Sequence, residues 1–342
     1  MTAGQEPAAH LGGLVARDLV EVTQDPRALD AGGRWAVVVP YAGEPVFARF
    51  ADWRPGSAEE VAGPWRGPST WTTSLERDGY MSAVERIREH IAAGEVYQAN
   101  VCRVLSAALP DPAQADVGGL YALLAQGNPA PHAAMIRIPG VVEVASASPE
   151  LFLSRDGDVL ETGPIKGTGR TASDLLPKDR AENVMIVDLM RNDLSRVCAV
   201  GSVTVPALLA EEEHPGLVHL VSRVRGVLRE DASWSSILDA TFPPGSVTGA
   251  PKGAALTCID EVETASRGIY CGAAGWVDAD AGTASLGVAI RTFWVQDGIV
   301  RFGTGAGITW SSDPLGEWEE TELKAARLIA LAGGCWEGRM AP

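Results

Sequence analysis

Short apolar runs of strand character and segments of helical period follow one another along this chain without a regular strand–helix–strand rhythm. A doubly wound parallel sheet needs that rhythm, so its absence points to an α+β architecture. Trp35-Ala36-Val37-Val38-Val39 and Pro45-Val46-Phe47-Ala48-Arg49-Phe50 read as strands broken by Gly and Pro, and residues 54–74 as a Pro/Gly/Ser-rich connector. Tyr80, Val84, Ile87 and Ile91 fall on one helical face that stops at Gly94. Further helices are expected over residues 178–197 and 249–263, where Ala254, Cys258 and Val262 keep four-residue spacing. A last one starts at Asp313-Pro314, a cap followed by proline at the first helical position. Residues 141–144, 151–154 and 276–291 have strand character.

At 342 residues, 46% hydrophobic and 21% charged, the chain has ample material for a core. No apolar run is long enough to cross a bilayer, and residues 1–10 lack the basic start and apolar centre of a signal peptide, so no membrane association and a cytoplasmic location are expected. The five cysteines, Cys102, Cys198, Cys258, Cys271 and Cys335, show no C-x-x-C spacing and fit reduced, buried thiols. A net charge of −16 argues against nucleic acid as a partner, because neutralising phosphates needs clustered Lys and Arg.

Three local features carry candidate chemistry. Gly163-Pro164-Ile165-Lys166-Gly167-Thr168 places a lysine in a rigid turn, where by itself it reads equally as an ordinary surface residue. Ser146-Ala147-Ser148-Pro149-Glu150 places a glutamate before the apolar Leu151-Phe152-Leu153, which suits a carboxyl group held protonated in a dry pocket. Glu317 and Glu320, three apart, share one helical face, an arrangement equally common on solvated acidic surfaces.

These blocks occur in a longer ordered series: Gly94-Glu95-Val96-Tyr97-Gln98-Ala99-Asn100, Lys178-Asp179-Arg180-Ala181-Glu182-Asn183, Asp188-Leu189-Met190-Arg191-Asn192-Asp193-Leu194 and Val218-His219-Leu220-Val221-Ser222. Phe242-Pro243-Pro244-Gly245-Ser246-Val247-Thr248-Gly249-Ala250-Pro251-Lys252 follows, then Arg267-Gly268-Ile269-Tyr270-Cys271-Gly272, Ala289-Ile290-Arg291-Thr292, Gly305-Ala306-Gly307-Ile308 and Glu317-Trp318-Glu319-Glu320-Thr321. From about Tyr80 to Ile329 the series resembles the chorismate-utilising enzymes. Their P-I-K-G-T form, with lysine, is the one seen in aminodeoxychorismate synthase component I.

The resemblance implies two facing, largely antiparallel sheets with helices outside. Residues 76–336 would form the chorismate-binding catalytic domain, with residues 1–75 a strand-and-loop segment packed on it. It implies Lys166 as a covalent nucleophile, Glu150 as general acid and His219 in the pocket wall, although a lone histidine before Leu-Val is equally a packed core residue. Substrate contacts fall to Gln98, Ser246, Thr248, Tyr270, Arg291, Gly305, Gly307 and Lys324. Mg²⁺ would be held by Glu182 and Glu320, with Glu317 adjoining, which explains how an acidic protein binds a dicarboxylate. Gln98 stands where water-adding relatives carry a lysine base, and a glutamine cannot take that role.

The activity so implied is Mg²⁺-dependent amination of chorismate to 4-amino-4-deoxychorismate for p-aminobenzoate and folate. Anthranilate synthase component I, which carries alanine at the lysine position, is the alternative, and a noncatalytic chorismate-binding subunit is one of another class. Ammonia is expected from a separate glutamine amidotransferase subunit, since no G-x-C-x-G elbow is present. His132 and Gly287 depart from the family pattern, and the missing L-L-E-S motif makes feedback by tryptophan unexpected.

Overall fold

The computed structural model describes residues 6–169, 171, 177–214 and 217–334. Among them the chain forms eighteen strands and six α-helices. The first half runs β1 (Ala8–Leu11), β2 (Leu14–Thr23), β3 (Arg34–Val39), β4 (Val46–Pro55), β5 (Thr72–Thr73), α1 (Arg77–Ala92), β6 (Gln98–Ala108), α2 (Val117–Gly127), β7 (His132–Ile138), β8 (Val142–Ser148), β9 (Leu151–Asp156), β10 (Val159–Gly163) and β11 (Ile165–Gly169). The second half runs α3 (Pro177–Ser195), β12 (Thr204–His214), β13 (Leu217–Val227), α4 (Trp234–Thr241), β14 (Gly249–Ala250), α5 (Lys252–Val262), β15 (Ala273–Asp278), β16 (Thr283–Val288), β17 (Thr292–Gln296), β18 (Ile299–Ile308) and α6 (Pro314–Leu331). None of these helices is long and apolar enough to cross a membrane.

Every described pairing is antiparallel, and together they link all the strands into one hydrogen-bonded network. From one end the path runs β6–β18–β17–β8–β7–β1–β2–β4–β3–β15–β16–β9–β10–β13, with β5 and β14 against β6, and β11 and β12 against β13. The fold is thus the mixed, largely antiparallel one that the sequence implied, with its sheets joined by continuous pairing. The strands before residue 76 are woven in at three points, β1 against β7, β3 against β15 and β5 against β6.

Helices cover the network with their apolar stripes. α1 buries Tyr80, Ala83, Val84 and Ile87, which join Val96, Val101 and Ile308 and, from α5, Ala255 and Cys258 in one cluster. Each buried valine or isoleucine among them contributes about 1.5–3 kcal/mol of transfer free energy. α2 and α6 pack a second cluster of Leu120, Leu124, Leu328 and Ile329 against Met135, Phe293 and Phe302. Cys102, Cys198, Cys258 and Cys271 are buried free thiols, as expected, and Cys335 lies outside the described residues.

Two helices exist that the periodicity argument passed over. α2 reads as a poor helix because it opens Val-Gly-Gly, yet Asp116 caps it by accepting from the Gly118 N–H at 2.7 Å. A Cβ at Gly118 would lie 2.2 Å from the Val61 carbonyl oxygen, so the glycine is there for close approach. α4 has only eight residues and is held by a Ser233/Ser236 capping box.

Candidate active site

Glu150 sits in the turn between β8 and β9, pinned by its carbonyl, which accepts from the Val288 N–H at 3.0 Å. Its carboxyl is buried, and that burial pushes its pKa up to about 7. A hydrogen bond from Ser246 and the charges of Lys166, Arg291 and Lys324 act in the opposite direction, so all four groups converge on this one carboxyl. Arg291 precedes β17 with φ +53, and its carbonyl accepts from the Ala147 N–H at 3.0 Å, which ties it to the strand leading into Glu150. Burial lowers the pKa of Arg291, with Glu150 opposing.

Lys166 lies on β11, next to a register shift against β13 between Ile165 and Thr168. Its Nζ donates to the Ser246 carbonyl oxygen at 3.2 Å. Ser246 belongs to a tight turn, Gly245–Val247, flanked by the buried Arg267 and the half-buried Lys252. Lys252 Nζ donates to Asp193 Oδ2 at 2.7 Å and to the Thr241 carbonyl at 2.9 Å, which ties α5 to α3 and to the entrance of the turn. Arg267 donates to the Val247 carbonyl at 2.9 Å and the Asn100 carbonyl at 3.1 Å, and pairs with Glu263 at 2.7 Å.

Across from this corner, β6 and β18 form a floor. Gln98 is fully buried, and neither its Oε1 nor its Nε2 has a hydrogen-bond partner among the described residues; Asn100 Oδ1 is in the same position. Buried amides left this way stand ready for a ligand, since each unmet group costs about 1–3 kcal/mol. Gly307 makes room: a Cβ there would stand 2.2 Å from Gln98 Nε2 and 3.1 Å from Asn100 Oδ1. β18 pairs with β17 only as far as Phe302, so among the described residues Gly305 and Gly307 are flanked by β6 on one side alone. Lys324 on α6 donates to the Gly305 carbonyl at 3.0 Å and pairs with Glu320 at 2.7 Å.

Thr248 is buried, donates to the Pro244 carbonyl at 3.1 Å and accepts on its own carbonyl from the Asn100 N–H at 2.8 Å, so it joins the turn to the floor. Tyr270 is buried in the core with its ring against Gly303, where a Cβ would lie 2.0 Å from the ring. His219 is buried on β13, opposite Thr168 of β11. Glu182 is half-buried on α3; Glu317 is buried and Glu320 exposed on α6, and both α6 charges act on the buried hydroxyl of Tyr80. These three carboxylates are the hard oxygen donors that Mg²⁺ takes, so the donor chemistry fits that ion. Glu150, Lys166, Ser246, Arg291, Lys324 and Gly305 are joined by direct interactions, as are Gln98, Gly307 and Thr248 through β6. Asn100 and the supporting pairs Arg267–Glu263 and Lys252–Asp193 were not singled out from the sequence, though Asn100 and Lys252 stand inside recognised blocks.

Residues 50–330 match the model of the chorismate binding enzyme family. The chain is 39% identical over 273 residues, 76% of its length, to anthranilate synthase component 1 1 of Haloarcula marismortui, covering 55% of that protein. It is 37% identical over 279 residues, 78% of its length, to aminodeoxychorismate synthase component 1 of Bacillus subtilis, covering 57% of that protein. The chain thus spans about half the length of the curated relatives it matches. Among solved structures, anthranilate synthase component I from Streptococcus pneumoniae superposes with a TM-score of 0.73 at 24% identity, covering 88% of this chain and 80% of the other. The menaquinone-specific isochorismate synthase from Escherichia coli superposes with a TM-score of 0.75 at 18% identity, covering 97% and 90%. The chain belongs to the chorismate binding enzyme family.

Proposed function

We propose that this protein aminates chorismate at C4 to give 4-amino-4-deoxychorismate, with Lys166 as nucleophile and Glu150 as general acid. The observation that carries this reading is the Ser246 turn: Lys166 Nζ rests on the Ser246 carbonyl at 3.2 Å, while the Ser246 side chain and the Lys166 charge both favour the ionised form of the buried Glu150 carboxyl against its burial. A carboxyl with a pKa of about 7 keeps a proton available at neutral pH, which a glutamate at its ordinary value would not.

In the first displacement Lys166 Nζ bonds to ring carbon C2, both ring double bonds shift by one position, and the C4–O bond breaks. Glu150 delivers its proton to the departing hydroxyl, which leaves as water. In the second, ammonia bonds to C4, both double bonds shift back and the C2–N bond to Lys166 breaks. The ammonia nitrogen surrenders one proton, which restores Glu150. An ion pair of Lys166 and Glu150 and the reactive pair of neutral amine and protonated carboxyl hold the same number of protons, so a proton shift between them arms the site without net uptake.

Arg291 offers the planar fork that a substrate carboxylate accepts from, and the open side of β18 at Gly305–Gly307 lies beside the Gln98 amide. Mg²⁺ held by Glu182 and Glu320, with Glu317 adjoining, would neutralise a substrate carboxylate when bound. Ammonia is proposed to come from a glutaminase partner. Relatives named anthranilate synthase and aminodeoxychorismate synthase match this chain at 40% and at 36–37% identity, and Lys166 favours the second reading. The test is to supply chorismate, Mg²⁺ and ammonium and identify the product by chromatography and mass. 4-Amino-4-deoxychorismate is expected; anthranilate as the main product would overturn the assignment.

A further inference from the structure

Away from this corner, where the end of α1 meets α5, three side chains with different donor atoms converge. His90, Glu95 and Cys258 place one ligand atom each within 4.8 Å of one another. The backbone fixes two of them together. After α1 ends, Gly94 turns the chain at φ +77, its N–H donates to the Ile91 carbonyl at 3.0 Å, and the Glu95 N–H returns to the His90 carbonyl at 3.0 Å. Cys258 comes from the buried face of α5.

The imidazole of His90 is held between two carboxylates, Glu95 Oε2 at 2.6 Å from Nδ1 and Glu261 Oε2 at 2.9 Å from Nε2. A carboxylate only accepts, so a neutral imidazole, with a single N–H, would turn a lone pair toward one of them. A cation at that nitrogen removes the conflict. Glu261 is itself fixed by Arg86 Nε at 2.6 Å, which suits it to hold the hydrogen on Nε2 and leave Nδ1 as the ligand. An outer carboxylate orienting a ligating histidine in this way is a recurrent feature of metal centres. The remaining partners, a carboxylate and a sulfur, complete a mixed N/O/S set.

We propose that His90 Nδ1, Glu95 and Cys258 Sγ form a binding site for a divalent cation of zinc chemistry, with water in the fourth position on the exposed Glu95 side. Imidazole suits zinc and a thiolate selects for it over Mg²⁺, so this site and the carboxylates of α3 and α6 choose different ions. Binding forms the metal–sulfur bond and releases the Cys258 proton to solvent. The thiolate and the Glu95 carboxylate together balance the dication. Tetrahedral bonds of this length separate ligand atoms by about 3.3–3.8 Å, so the Glu95 side chain, 55% exposed, moves outward slightly. The cation would clamp α1 to α5 beside β6 and β14, the strands that carry Gln98 and Ala250. This inference is independent of the reaction proposed above.

The test uses the full, metal-stripped chain in excess Mg²⁺, titrated with Co²⁺ and then Zn²⁺. One equivalent of Co²⁺ should bind with thiolate-to-cobalt charge-transfer absorption, and Zn²⁺ should displace it and raise the melting temperature. Cys258→Ser should lose the charge-transfer absorption, and Glu261→Gln, an exposed change that spares the core, should weaken binding about 10–100-fold. Absence of charge transfer at stoichiometric Co²⁺, or its persistence in a folded Cys258→Ser variant, would overturn the proposal and leave His90 as an imidazolium between two glutamates.

Discussion

Lys166 and Glu150 meet at Ser246, whose carbonyl takes the lysine at 3.2 Å and whose side chain, like the Lys166 charge itself, acts on the buried glutamate. The sixteen-residue separation in sequence is closed by β9, β10 and β11, and the Ser246 turn arrives from α4. The proposed nucleophile and acid therefore share one backbone turn, and disturbing that turn should disturb both.

Glu150→Gln keeps shape and hydrogen bonding and removes the proton. We expect kcat with ammonium to fall about 10²–10⁴-fold while KM for chorismate changes little. A variant retaining wild-type kcat across the neutral range would assign the acid elsewhere.

The same carboxyl makes stability depend on pH with a definite sign. Its pKa is about 7 folded and near 4.5 unfolded, so between those values the folded state binds the extra proton. Stability therefore falls as pH rises from about 4.5 to 7, by up to on the order of 3 kcal/mol, and levels off above that window. Denaturant unfolding across it should show this slope in the wild type and a flatter one in Glu150→Gln.

Gly307→Ala places a methyl group where Gln98 Nε2 now stands, 2.2 Å from the new Cβ. Overpacking of this kind costs about 1–3 kcal/mol and displaces the Gln98 amide. Steady-state kinetics should show a raised KM for chorismate, whereas an unchanged KM would separate Gln98 from the substrate.

Arg267→Leu should destabilise the fold by about 3–5 kcal/mol, since it strands the Glu263 charge and unpairs the Val247 and Asn100 carbonyls. Urea denaturation measures this directly; a loss under 1 kcal/mol would mean the network relaxes around the gap.

Removing Mg²⁺ with a chelator should abolish turnover reversibly, and Glu182→Gln should do the same while leaving the melting temperature within a few degrees. Full activity without the ion would detach Glu182, Glu317 and Glu320 from the chemistry.

Much of the site was readable in the sequence because its groups lie in compact blocks whose order survives in the chain: Lys166, Glu150, Ser246 and Arg291 each occur within one. The α1 stripe and the Asp313 cap were legible because periodicity and capping are local. What was not legible depends on distant partners. Arg267 stands in a recognised block, yet its partners Glu263, Val247 and Asn100 are brought to it only by the fold, as Val61 is to Gly118 in α2. The β1–β7 and β3–β15 pairings, which fasten the first strands to the rest, leave no local trace. The unsatisfied amide of Gln98 likewise appears only when its neighbours are in place.

In the proposed reaction Lys166 becomes covalently bonded to the substrate ring. Mixing the protein with chorismate and Mg²⁺ in the absence of ammonia, then quenching and mapping peptides by mass spectrometry, tests it directly. An added dehydrated substrate mass is expected on the peptide carrying Lys166, discharged as 4-amino-4-deoxychorismate when ammonium is added and absent in Lys166→Ala. An unmodified Lys166 peptide throughout, together with wild-type kcat and product in the alanine variant, would contradict it.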